Sequence, residues 1–390
     1  MTVLSFDTHV LPPATADVLA GLLEELIATH PGLTAFQLAG SYWNPSTQLS
    51  DADVDLRRFG EIDRHAGDDR VAASVVLFEY RGRLIELSEW VFGGLARPDL
   101  LSLRDAVSLV RAHLLWERGS AIRRAVDSAA RRLEDERWRH DRLDAGLARI
   151  EQRFAALRAA NDSLNSLRVK PSAVTDDGYF KHVYYTMADE LSGFVSVVDL
   201  RPPSLARKAL MEIGDCLAQM QLPRVTERIY EALGCAGFDD AECLRWRGEL
   251  DALYDGVAAV NPEGLLKRRY HLTAIAAMIE RGHGRAAAFP LWRGLDECRA
   301  ALDFIPPPWL NFPTAARFPS TAAERLEYRE LRRRVHDALE RLRVRFGFGS
   351  DAEIATRIEQ GIAAVAELRS HADVLSEHLG IQVASWSAAR

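Results

Sequence analysis

Lysine is nearly missing from this chain. Four occur in 390 residues, Lys170, Lys181, Lys208 and Lys267, and the first 118 residues have none. Arginine supplies almost all the positive charge, a bias that a GC-rich genome produces without any functional cause. Cysteine is equally scarce. Cys216, Cys235, Cys243 and Cys298 show no Cys-x-x-Cys spacing, which argues against a zinc site and a disulfide framework and fits a reduced, cytoplasmic setting. No run of about 20 apolar residues is present, so no membrane span is expected. The opening "MTVLSFDTHVLPP" has no basic region followed by a long apolar stretch, so it does not read as a secretory signal. His182, His271 and His283 lack the His-Glu-x-x-His spacing of a metal site and read as surface or packing residues.

What is present is ordinary in bulk and uneven in distribution. Apolar residues make up 48% of the chain and charged residues 27%, as in a globular protein with room for two or three domains. Residues 1–118 carry 10 arginines against 17 Asp and Glu, a balance of −7 that equals the formal charge of the whole protein. An acidic region of this kind suits divalent cations better than nucleic acid.

Hydrophobic periodicity divides the chain into two styles. Residues 14–29 have helical spacing, 33–39 form a short apolar run closed by Gly40, and "DADVDLRRF" begins with strict alternation. Residues 62–70 read as a polar loop. The runs 71–80 and 83–92, joined by Arg81 and Gly82, predict a β-hairpin. "ARPDLLSLRDAVSLV" is mostly helical, and 112–119 suits either a strand or the end of that helix. From residue 120 the pattern is helical. Residues 169–178 are the best linker candidate, and helices are expected near 179–197, 203–220, 223–234, 240–258, 263–282 and 286–303. A proline-rich stretch at 304–320 precedes two long helices at about 321–346 and 351–379. The first of these is rich in arginines interleaved with acids, which favours an ion-paired solvated face over a nucleic-acid patch.

The chemistry concentrates in "AGSYWNPSTQLSDADVDL", residues 39–56. On a strand, Asp51, Asp53 and Asp55 share one face, and Ala52, Val54 and Leu56 share the other. Strands disfavour aspartate, and three on one face need a neutralising partner such as a divalent ion. In "RLIELSEWV" the alternation puts Ile85, Leu87 and Val91 on the core side and projects Glu86 from the opposite face, with Glu89 ranked second. Gly40 permits a sharp turn and close approach of a ligand. Ser41 offers a hydroxyl and an N–H where phosphate binds well.

The order of helix, strand ending in Gly40-Ser41, spacer, Ser50-Asp51-x-Asp53 and a later strand with Glu86 resembles the polymerase-β-type nucleotidyltransferase superfamily. The closest likeness is to aminoglycoside-type antibiotic nucleotidyltransferases, over roughly residues 14–130. The resemblance implies that Asp51, Asp53 and Glu86 are catalytic and hold two magnesium ions. It also implies that Gly40 and Ser41 hold the phosphates of a nucleoside triphosphate. Lys181 matches by position a lysine that reaches the triphosphate from a helical domain. The "YWNP" after the Gly-Ser pair, and Asp55 with Arg57 and Arg58 after the second aspartate, depart from the family pattern.

The expectation is therefore an α+β protein. Residues 1–119 form a small mixed-sheet nucleotidyltransferase-like domain, 120–303 a helical domain making the other cleft wall, and 304–390 a proline-rich connection with a helical hairpin. The expected activity moves a nucleoside monophosphate to a hydroxyl of a small-molecule acceptor and releases pyrophosphate, with the helices available for dimerisation. The alternatives are nucleotidylation of a protein or a tRNA, and a nucleotide-binding scaffold without catalysis.

Overall fold

The computed structural model describes residues 6–7, 11–39, 54–60, 72–90, 101–166, 173–201, 209–261, 268–303 and 321–388. It is an α+β structure, with a small mixed sheet in the N-terminal part followed by many helices. The chain forms two compact units. One comprises 1–146, 197–203 and 373–390, and the other 147–196 and 204–372. No described helix is long and apolar enough to cross a membrane.

The sheet unit begins with α1 (Pro13–Thr29), started by a proline at its first position, where a missing N–H costs nothing. The five strands are β1 (Leu33–Ala39), β2 (Val54–Gly60), β3 (Ala72–Tyr80), β4 (Arg83–Trp90) and β5 (His113–Glu117), in spatial order β3-β4-β2-β1-β5. β2 and β4 run parallel, and the other neighbouring pairs are antiparallel. The expected hairpin is β3–β4. Its turn residues Arg81 and Gly82 both have positive φ, 47° and 76°, the backbone that a tight two-residue hairpin requires. The hairpin end is tied to α1 by Tyr80, whose hydroxyl donates to Glu25 at 2.6 Å.

One face of the sheet is largely apolar, with Arg58 opposite Phe36. Phe36 and Leu38 on β1, Val54 and Leu56 on β2, and Ile85 and Leu87 on β4 are buried there, as the alternation in β4 requires. Residues 112–119, open between two readings, contain a strand, because β5 pairs with β1. Between β4 and β5 lies α2 (Leu103–Val110). A capping box closes its N-terminus: Ser102 Oγ accepts the Asp105 N–H at 3.1 Å while Asp105 receives the Ser102 N–H.

The helices that follow are α3 (Ala121–Glu134), α4 (Glu136–Ser166), α5 (Ala173–Val198), α6 (Ala209–Gln219), α7 (Pro223–Ala232), α8 (Asp240–Val260), α9 (Arg268–Glu280), α10 (Gly284–Asp303), α11 (Ala322–Arg345), α12 (Asp351–Ser370) and α13 (Ala372–Ala388). Three expectations need correction. The linker candidate 169–178 is helical from Ala173 onward. The final helix is two, α12 and α13, meeting at His371. The helical stretch from residue 120 is broken at Asp135, whose carboxylate accepts the Trp138 N–H at 3.1 Å and so caps α4.

The helical unit has an aromatic core. Tyr184 stacks on Phe346 at 5.3 Å between ring centres, and Phe180, Phe289, Trp292 and Phe348 surround it. The unit also buries two acids, Glu190 and Asp296, both ion-paired. Along α11, Arg333 pairs with Glu330 and Asp337, and Arg343 with Glu340, which matches the ion-paired face expected from sequence.

Candidate functional site

The acid-bearing face of the sheet is built by register. β2 and β4 are parallel neighbours, and Asp55 stands opposite Glu86. Side chains alternate along both strands, so the two carboxylates project from the same face, away from Val54, Leu56, Ile85 and Leu87. Both residues are half-buried. Opposed carboxylates on adjacent strands repel each other, which makes this pair a natural place for a cation.

One step further along the strands is a second row on that face. It contains Gln37 on β1, Arg57 on β2 and Ser88 on β4. Gln37 is 0% exposed, and neither its amide nitrogen nor its amide oxygen has a hydrogen-bond partner among the described residues. Arg57 is 7% exposed. Its Nη1 donates to the Ser108 carbonyl at 2.5 Å. That carbonyl lies in the last turn of α2, where backbone oxygens lack helical partners and the helix dipole favours a cation. Burial lowers the Arg57 pKa to about 10, and the negative charge of Asp55 opposes that shift. The guanidinium therefore remains charged at neutral pH.

The expected site residues fall in three places. Gly40, Ser41, Asp51 and Asp53 lie outside the described residues. Glu86 lies on β4, on the face that alternation assigned to it, beside Asp55. Lys181 lies on α5 in the helical unit. Its Nζ is 2.6 Å from Oδ2 of the buried Asp296, which also receives the Tyr185 hydroxyl at 3.3 Å and Arg299 Nη2 at 2.8 Å. Lys181 is thus committed to a carboxylate in this conformation.

Sequence reasoning missed Arg57 and Gln37. An Arg-Arg pair in a strand reads as solvent-exposed, and a single glutamine in an apolar run carries no signal. The usable clue was parity: Arg57 is two residues from Asp55 and therefore shares its face.

No family model matches this chain, and no curated protein matches it. Among solved structures, a nucleotidyltransferase-like protein from Exiguobacterium sibiricum 255-15 is similar at 13% identity, with 84% of this chain and 90% of that chain covered and a TM-score of 0.27. A superposition that loose defines neither a shared fold nor a shared activity, so the assignment of function rests on the residues of the site.

Proposed function

We propose that the protein is a magnesium-dependent nucleotidyltransferase that moves a nucleoside monophosphate from a nucleoside triphosphate to a hydroxyl of a small acceptor. The observation that supports this most directly is the opposition of Asp55 and Glu86 on parallel neighbouring strands, immediately after the Gly-Ser and Ser-Asp-x-Asp sequence. A half-buried pair of carboxylates is a hard-oxygen donor set and fits magnesium, which binds through a few carboxylates together with substrate phosphates. Asp51, Asp53 and Glu86 would hold the metal, and Asp55 joins them as a candidate because it stands directly opposite Glu86. Magnesium bound there supplies charge neutralisation for the triphosphate and for the departing pyrophosphate.

The other roles belong to the chain itself. A carboxylate oxygen of Glu86 is suited to take the proton of the acceptor hydroxyl as it attacks the α-phosphorus. Ser41, next to the Gly40 turn, would donate to the terminal phosphate oxygens.

Three single substitutions, Asp51→Asn, Asp53→Asn and Glu86→Gln, test the assignment. Magnesium-dependent pyrophosphate release from each of the four nucleoside triphosphates, with a panel of hydroxyl acceptors, should fall by roughly 100-fold or more in each variant. Turnover equal to that of the unaltered protein would sink the assignment.

A further inference from the structure

The last helix of the chain belongs to the sheet unit, which takes in residues 197–203 and 373–390. α13 buries a narrow apolar stripe, Leu375, Leu379 and Val383, one residue per turn. Its polar contacts lie at the α3–α4 junction and at Asp199. Ser387 Oγ donates to Glu134 Oε1 at 2.9 Å on the exposed edge. A Cβ at Gly380 would lie 3.2 Å from Arg139 Nη2, so the helix passes close to the start of α4.

Asp199 is the buried contact. Its side chain is 4% exposed, and a carboxylate so enclosed needs counter-charges. Two groups supply them. Arg201 Nε lies 2.6 Å from Oδ2, and His378 Nε2, 179 positions away on α13, lies 3.0 Å from Oδ1. An ionised carboxylate only accepts, so His378 Nε2 carries the hydrogen. The Gln382 amide, one turn further along α13, reaches the same ring nitrogen at 3.3 Å. The turn that presents Asp199 is held against its own preference. The next residue, the buried Leu200, has φ 52°, a conformation that large L side chains avoid. Such strain persists only where the surroundings fix it.

We propose that α13 is a strap that closes the sheet unit and that the Asp199–His378 pair is its clasp. Losing the clasp frees α13 as a single element and uncovers the α3–α4 junction. The helix comes away without unwinding α12, because the two already part at His371. Breaking the pair leaves a buried carboxylate with only part of its compensation, whereas the exposed Ser387–Glu134 contact contributes little. None of this depends on the nucleotidyltransferase assignment.

The experiment is hydrogen–deuterium exchange of the full chain, read peptide by peptide under native conditions. His378→Ala should speed exchange about 10-fold or more in α13 and in residues 133–146, and leave α8 and α10 of the helical unit within about twofold. His378→Gln keeps a donor for Asp199 and should fall between His378→Ala and the unaltered protein. Ser387→Ala should stay within about twofold throughout. If His378→Ala does not fold, His378→Gln carries the same pattern at smaller size. Unchanged exchange in α13 overturns the proposal. Acceleration shared equally by α8 and α10, or failure of His378→Gln to fold, overturns it too, because the pair would then hold the whole chain rather than one helix.

Discussion

The two units of this protein build their interiors from different residues. The helical unit fills its centre with rings and buries two ion-paired acids, Glu190 and Asp296: Tyr184, Phe180, Trp292, Phe346 and Phe348 pack with ring centres 4.7 to 6.3 Å apart. Aromatic pairs at such separations add to the burial of their area. The sheet unit has one apolar face of the same kind, but its other face buries a guanidinium and an amide beneath a pair of acids. An amide without partners, such as that of Gln37, weakens a fold. The contrast is one of composition: the helical interior is built on rings, whereas the acid-bearing face of the sheet buries Arg57 and Gln37 beside Phe59 and Ala35.

The sharpest way to break the contrast is to attack the scaffold. Gly234 has φ 70°, and a Cβ there would lie 2.1 Å from the Phe346 carbonyl oxygen, which is backbone and cannot turn aside. Gly234→Ala combines left-handed strain with overpacking and should destabilise by about 3 kcal/mol or more. In a thermal melt this corresponds to a fall of roughly 6–12 °C. A shift under about 2 °C would show that the α11 end adapts and that the aromatic core is looser than its geometry implies.

A milder probe reads the dryness of the same core. All four cysteines are buried. Burial pushes the Cys235 and Cys243 thiols up to about 12 and raises Cys298 further. A raised thiol pKa means the neutral form persists until the pH approaches that value, so thiolate is negligible from pH 7 to 9. A disulfide reagent such as Ellman's should therefore find no rapidly reacting thiol in the native protein at pH 8 and four after denaturation. A thiol reacting natively at the rate of free cysteine would mark local opening in the helical unit.

The two units also differed in how far they could be read from sequence. β1 was legible because Gly32 and Gly40 bracket its apolar run, and the β3–β4 hairpin because Arg81-Gly82 separates two strand-like segments. The side of β4 that carries Glu86 followed from period two alone. The burial of Arg57 did not, because it depends on α2 bringing the Ser108 carbonyl to the face from 51 positions along the chain. In the helical segments, α12 and α13 part at His371 without a glycine or proline to announce it. The break at Asp135 did have a signal: an aspartate three residues before Trp138 is an N-cap, masked by the helical composition on both sides. The part of the site within 40–53 is legible only as sequence.

The smallest effect expected is the most specific to the sheet unit. Gln37 has an amide enclosed between β2 and β5, opposite Arg57 and Leu114, and no described group accepts from or donates to it. Burial without a partner costs such a group about 1–3 kcal/mol. Leucine removes both polar atoms while keeping most of the volume and the strand geometry. After allowance for imperfect packing, Gln37→Leu should stabilise the protein by roughly 1 kcal/mol and raise the melting temperature by about 2–4 °C. The equivalent loss of a polar group that did have partners would lower it. A fall after Gln37→Leu would mean that a bridging water satisfies the amide, and the row containing Arg57 would then be a completed polar network rather than a strained one. A rise would show that the sheet unit tolerates an unfavourable interior on the face that carries its acids.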